Sequence, residues 1–345
     1  MSFATDLGLA FPLIQAPMAG VQDARLALAA NAAGALGSLP AAMLDATALE
    51  AALRALHDAQ RPYNVNFFTH VPPTADVAVQ TRWRETLAPY YDEFGIDSAT
   101  LAAAPARRPF GPDMAEVLES FRPAVVSFHF GLPAPALLAR VKARGAMVLS
   151  SATTVDEARW LQQHGADAII AQGLEAGGHR GHFLAHDPAL QAATARLLPA
   201  IVAAVDVPVV AAGGIANADG VRAALRAGAA AVQVGTAFLR CDEATTSALH
   251  RQRLRDLAAP TVLTNVFTGG LARSLLNRAV RELGPVSALA PPFPDAAAAV
   301  MPLRAKAEAQ GQDDFSPLWS GADRSGCRDA PAAEVVQQLA TGFAG

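Results

Sequence analysis

The chain has 345 residues, enough for one large barrel or two ordinary domains. Hydrophobic residues make up 52% and charged residues 17%, which supports a large buried core and argues against disorder. A formal net charge of −4 with no Lys/Arg block disfavours nucleic acid as a partner.

Cys241 and Cys327 lie far apart in sequence, which suits a reducing compartment and offers neither a disulfide framework nor a zinc signature. No metal site is expected, because no His/Asp/Glu spacing suggests one. Residues 1–10 lack a basic stretch followed by an apolar core, so no signal peptide is expected. No apolar run approaches the roughly 20 residues that span a bilayer. The expectation is a soluble cytoplasmic enzyme without a membrane partner.

In chain order, residues 12–18 read as a first strand and 21–33 as a helix closed by Gly34. Residues 34–40 form a second strand, and 47–57 a helix capped by Asp45 or Thr47. Residues 62–68 form a third strand. It carries Asn64 and Asn66 on one face, because strand side chains alternate. Asparagine is depleted in strands, so the pair suggests a polar task there; a bulge or an early turn is the competing reading. From 74 to 121 the rhythm breaks, and an inserted helix or two over the barrel mouth is expected. Residues 125–131 restore the strand pattern, with His129 at its end. A helix at 135–144, a strand at 147–151, a helix at 155–164 and a sixth strand at 168–172 follow.

A helix is then expected from Asp187-Pro188 to about Ala204. Residues 207–215 form a seventh strand ending in Gly213-Gly214, 217–227 a helix, and 231–239 an eighth strand. Eight strand–helix alternations in about 240 residues, with nearly continuous apolar strands, match an α/β fold of the (β/α)8 TIM-barrel type. A doubly wound sheet is the rival, but no G-x-G-x-x-G follows the first strand. Residues 1–240 are therefore expected to form the barrel, with an insertion at about 74–121. Residues 241–345 are expected to form a smaller, mainly helical lobe covering its mouth. That lobe is read as a helix at 243–257, an amphipathic run through 260–283, and helices near 303–310 and 332–339.

The stretch from Ala171 to His182 joins the sixth strand to the chemistry. Glycines at 173, 177, 178 and 181 are interleaved with a glutamate, an arginine and two histidines. Such a loop lets a ligand lie on backbone amides, although a long structural turn has similar composition. In a barrel of this kind, the loops after the last two strands form the usual phosphate site, here Gly213-Gly214 and Gly235-Thr236. Tight packing of helices on strands explains one glycine pair easily and two less well. Gln172, Gln233 and Asn66 at strand ends can bond the edge of a heterocycle. One phosphate plus a polar-edged planar ring is what flavin mononucleotide (FMN) presents. His179 and His129 are the candidate acid/base groups, since imidazole titrates near neutrality. His129, between Phe128 and Phe130, also reads as a satisfied core histidine, and His182 as a solvated loop residue.

Together these stretches resemble the nitronate monooxygenases, formerly called 2-nitropropane dioxygenases. The matching runs are Gln15–Gly20, Pro62–Phe68, Val126–Gly131, Gln172–Gly181, Ala212–Ile215, Gln233–Thr236, Phe267–Gly269 and Ser316–Gly321. The runs with His129 and His179 look like the family's class I branch. The resemblance implies FMN as cofactor, with Ala16, Pro17 and Met18 backing its ring. It implies flavin contacts from Asn66, Gln172, Gly177, Gly178, Gly213, Gly214, Gln233, Val234, Gly235 and Thr236. It places His179 at the reactive face as base or anion-positioning residue, and His129 as a second active-site histidine. The implied reaction is oxidation of an alkyl nitronate, such as propionate 3-nitronate, by O₂ to a carbonyl compound and nitrite. A protonated His179 would hold the anion, and a neutral one would take an α-proton. Arg180 would add charge to the site or lie on the surface.

Relatives often line the pocket with tyrosines from the lobe, whereas the tyrosines here are Tyr63, Tyr90 and Tyr91; Trp319 or Phe315 is the expected stand-in. An FMN-dependent NAD(P)H oxidoreductase on the same fold, a quinone or enoyl-thioester reductase, is the alternative. A homodimer is compatible with everything above.

Overall fold

The computed structural model describes residues 3–98 and 107–344. The chain lays down β1 (Leu13–Gln15), β2 (Gly37–Pro40), β3 (Tyr63–Phe68), β4 (Val125–His129), β5 (Met147–Ala152) and β6 (Ala168–Gln172). It then leaves the sheet for a two-residue strand, β7 (Gly178–His179), and returns as β8 (Val209–Ala212) and β9 (Ala231–Val234). All strands but β7 form one parallel eight-stranded sheet in which β9 pairs with β1. Gln15 N donates to Leu36 O (2.9 Å) and Leu36 N to Leu13 O (2.8 Å), tying β1 to the segment entering β2. The sheet closes on itself as the expected (β/α)8 barrel.

Alternation along the strands sorts the core. Leu13, Ile169, Ala171, Val209, Val232 and Val234 face the surrounding helices. Ile14, Leu36, Val125, Leu149, Ile170 and Val210 fill the barrel interior, joined by Phe3 from the N-terminal helical turn. Nearer the C-terminal strand ends the interior turns polar: Asn64 Nδ2 donates to Ser38 Oγ (3.0 Å) and Asn66 Nδ2 to Ser127 Oγ (2.9 Å). Asn64 and Asn66 do share a face, one layer apart. The helix at Ala46–Asp58 is capped by Asp45 rather than Thr47.

Several expected elements differ; the eighth strand, expected at 231–239, ends at Val234 and a 3-10 turn follows at Thr236–Phe238. The helix after Asp187 begins only at Thr194, because Gln191 turns inward to meet Arg180. The helix expected at 243–257 spans Ala248–Arg255, with Ser247 accepting from His250 N at its start. The run through 260–283 is a hairpin of β10 (Thr261–Thr264) and β11 (Ala272–Leu275) followed by a short helix at Arg278–Glu282. β11 also pairs with β7, with Ala272 opposite His179.

Packing does not follow chain order. The helix Val77–Glu93, from the insertion, shares a core with Phe315 and the helix Ala297–Ala309 through Trp83, Leu87 and Tyr91. Tyr91 donates to Ala299 O (2.7 Å) and Trp83 Nε1 to Ala296 O (3.3 Å). The last helix, Ala332–Ala340, buries Val335, Val336 and Leu339 in the outer layer of the barrel. The expected insertion also covers residues 99–106, which lie outside the described residues.

Candidate active site

The cavity opens at the C-terminal ends of the barrel strands. Each strand end offers it at least one inward side chain, as period-two alternation requires. These are Ala16, Pro40, Asn66 and His129 on one half, and Ser151, Gln172, Ala212 and Gln233 on the other, with Phe68 and Ile170 adding a second on β3 and β6. Residues beyond β11 add Trp319, Gly321 and Asp323, and the segment between β3 and β4 adds Arg107. Pro17, Met18, Gly177, Gly178, His179, Gly213, Gly214, Gly235 and Thr236 also line it. Val234 does not. Its neighbour Gln233 faces in, so Val234 faces out and is buried against the helices. Cys241 is buried, and burial pushes its thiol up to about 12, far from a nucleophile's range.

The loop after β6 is held from below by a fully buried guanidinium. Arg180 donates through Nε to Gln191 Oε1 (2.6 Å), and through its two terminal nitrogens to the carbonyls of Gly173 (2.7 Å) and Gln172 (2.6 Å). It is neither a surface residue nor a cavity charge. Gln172 uses both ends of its amide on the same loop: Nε2 donates to His179 O (2.9 Å), and Oε1 accepts from Gly181 N (2.8 Å). Gly177 lets the Ser320-Gly321 backbone pack against this loop, because a Cβ there would lie 2.5 Å from Gly321 N. Gly213 and Gly214 sit at φ of +112° and +70°, where a side chain is strained, which turns their backbone along the cavity wall. At the same end Thr236 Oγ1 accepts from Gly321 N (2.9 Å).

The two histidines differ in what they leave free. His129 Nε2 lies 3.1 Å from His179 O, a carbonyl that can only accept, so Nε2 carries the hydrogen. Its Nδ1 then accepts from Ser151 Oγ at 3.0 Å. Both nitrogens are engaged, and burial pushes the ring down to about 4. His129 is thus neutral and ties the backbone of His179 to the barrel. His179 Nε2 meets Thr268 Oγ1 at 2.8 Å, which leaves Nδ1 as the remaining ring nitrogen. Burial first, then the charge of Arg107, holds His179 well below the usual imidazole value. Its ring lies among Phe293 (5.0 Å between centroids), Trp319 (5.3 Å), Phe68 (6.1 Å) and Phe130 (6.2 Å).

Of the three amides expected at a ring edge, Gln172 is consumed by the loop, and Asn66 donates to Ser127. Gln233 is different: its Oε1 is buried without a hydrogen-bond partner in the protein. No tyrosine lines the cavity among the described residues; Trp319 does, whereas Phe315 is sealed in the lobe core. Ser151, Phe68 and Arg107 were not singled out from sequence as site residues. Ser151 could have been found from its register position. Nothing in the sequence separates Arg107, in the cavity, from Arg108, which is exposed and pairs with Asp113 at 3.3 Å.

The sequence profile of the family described as nitronate monooxygenase matches residues 2–342. The chain belongs to the nitronate monooxygenase family. It is 40% identical to the nitronate monooxygenase of Pseudomonas aeruginosa over 345 residues, covering 98% of this chain and 97% of that protein. It is also 40% identical to the nitronate monooxygenase of Paraburkholderia phytofirmans, covering 96% and 92%. In structure it resembles a nitroalkane oxidase from Streptomyces ansochromogenes, with a TM-score of 0.90 and 38% identity over 99% of this chain and 97% of that one. FabK from Thermotoga maritima shares the fold at 24% identity, with a TM-score of 0.72 over 100% and 96% of the two chains. The protein is therefore an oxidoreductase. Among the described residues, no group of three or more His, Cys, Asp or Glu could hold a metal ion. No helix among them is long and apolar enough to cross a membrane.

Proposed function

We propose that this member of the family binds FMN in the barrel-mouth cavity and oxidises alkyl nitronates, propionate 3-nitronate among them, with O₂ to a carbonyl compound and nitrite. The observation that carries the reading is the placement of His179, an imidazole in an aromatic enclosure above the strand ends of a full-length family match. The cavity suits the cofactor. Gln233 Oε1 is an unmatched acceptor for a ring N–H, and the left-handed Gly213-Gly214 turn fits a phosphate approaching the backbone. FMN, when bound, supplies the electron chemistry.

The chain's own residues bind, orient and exclude water. Gln172 and His129 both donate to the carbonyl of His179 and so fix where its ring stands. Thr268 holds Nε2, and Nδ1 is the atom assigned to take the α-proton of a neutral nitroalkane. A preformed nitronate needs no such transfer, and for it His179 serves as a wall and orienting group. Phe68, Phe293 and Trp319 keep water from the reacting carbon.

Anaerobic mixing of the FMN-loaded protein with propionate 3-nitronate, and separately with NADH and NADPH, tests the proposal through flavin absorbance. Bleaching by the nitronate, with nitrite released on admitting air, is expected. Rapid bleaching by a nicotinamide and silence with the nitronate would favour the reductase alternative.

A further inference from the structure

Arg107 is the one cationic side chain among the described residues that line the cavity. No carboxylate among the described residues lies within ion-pair distance of it; the neighbouring Arg108 takes Asp113 instead. The two carboxylates on the cavity wall are placed elsewhere. Glu175 is spent on Thr194, accepting from its N and Oγ1 at 2.8 Å each, and Asp323 is an exposed lobe residue. The backbone of Arg107 is fixed rather than loose: His70 Nε2 lies 3.1 Å from its carbonyl, and Phe110 N donates to Phe68 O (2.8 Å) three residues on. Its guanidinium carbon stands 5.9 Å from the centroid of Phe293, whose ring is 5.0 Å from that of His179.

A half-buried guanidinium with no carboxylate partner among the described residues is costly to maintain, and burial lowers its pKa. It also disfavours the protonated form of the imidazole beside it. Guanidinium groups pair with carboxylates through parallel N–H···O bonds, and this one reaches the pocket next to the reacting centre.

We propose that Arg107 is the specificity-determining residue of the pocket and that it receives a carboxylate carried on the substrate. The site thereby selects short nitronates bearing a second negative charge over alkyl nitronates of the same length. The inference rests on the nitronate reading above and deepens it by naming the residue that reads the substrate's second charge.

The test compares propionate 3-nitronate with propyl-1-nitronate, which has the same carbon count and no carboxylate, in the FMN-loaded wild type, Arg107→Gln and Arg107→Lys. Arg107→Gln is expected to lower the ratio of their kcat/KM values about 100-fold, mainly through KM for the dianion, with Arg107→Lys keeping most of it. An unchanged ratio would overturn the proposal, whether both substrates lose activity equally or neither does. Calorimetric titration with malonate gives a readout free of turnover. Binding that weakens at least 10-fold in Arg107→Gln supports the carboxylate site even if no nitronate is oxidised. Equal malonate affinity in both proteins contradicts it even if the nitronate chemistry holds.

Discussion

At the floor of the cavity, Asn66, His129, Ser151, Gln172 and Gln233 stand on parallel strands hydrogen-bonded on both sides. At its cover, the placing is done by the two-residue strand β7 against β11, by the turn at Ser320-Gly321, and by the aromatic contacts of Phe293 with Phe68 and of Trp319 with His179. The floor is rigid by construction, and it spends most of its polar groups on itself. The cover carries the groups left free for chemistry, Nδ1 of His179 and the guanidinium of Arg107. His129 and His179 show the difference in one pair of residues: the first has both nitrogens committed to protein, and the second has one to spare. Supporting residues and acting residues are thus separated by the element that carries them.

Substitutions on either side of that division should behave differently. The largest effect belongs to His179→Ala, which should reduce kcat/KM for a neutral nitroalkane by about 10³-fold. Preformed nitronate, which has no proton to give up, should lose much less; steady-state nitrite assays on the two forms of one substrate would show the split. Arg180→Met acts beneath the cover. It strips a donor from two carbonyls and Gln191 at once, and should lower unfolding stability by about 3 kcal/mol in a denaturant titration. Gln233→Leu should weaken FMN binding about 10-fold in a fluorescence titration. It should leave the cofactor-free protein as stable or more so, because the lost oxygen has no partner there.

Smaller effects follow from pH. The pKa of His129 is lowered from 6.5 to about 4, so the unfolded chain binds the extra proton first as pH falls. Stability from this ring is complete above 6.5 and declines as pH drops towards 4; thermal unfolding across that window measures it. For His179 the same direction means that the base stays unprotonated through pH 6.5, and nitroalkane oxidation fails only in more acid solution. Arg107→Gln removes one of the charges that depress it, so the acid limb of the profile should move to higher pH.

The floor was the legible part. A strict two-residue period assigns Asn66, His129, Gln172 and Gln233 to the interior; it also turns the side chain of Val234 outward, although the resemblance had implied a flavin contact there. Glycines 213 and 214 were readable because a left-handed turn admits little else. The cover was readable in some of its residues, His179 and Trp319 among them, but not in its contacts, because these join residues far apart in sequence. β7 acquires strand geometry only from β11, nearly a hundred residues later, and Trp83 of the insertion finds its partner at Ala296. Arg180 reads as a loop charge until its three acceptors are seen. Arg107 and Arg108 are adjacent and chemically equal in sequence, and only the tertiary placement of one of them beside Phe293 separates their roles.

The most direct test of the account is the protonation state of His179 in the FMN-loaded protein, followed by ¹⁵N NMR of the imidazole and assigned with His179→Asn. The account predicts a neutral ring at pH 6.5, with protonation only well below that value. Half-protonation at or above pH 6.5 would contradict the neutral base assigned to His179 for taking the α-proton of a nitroalkane.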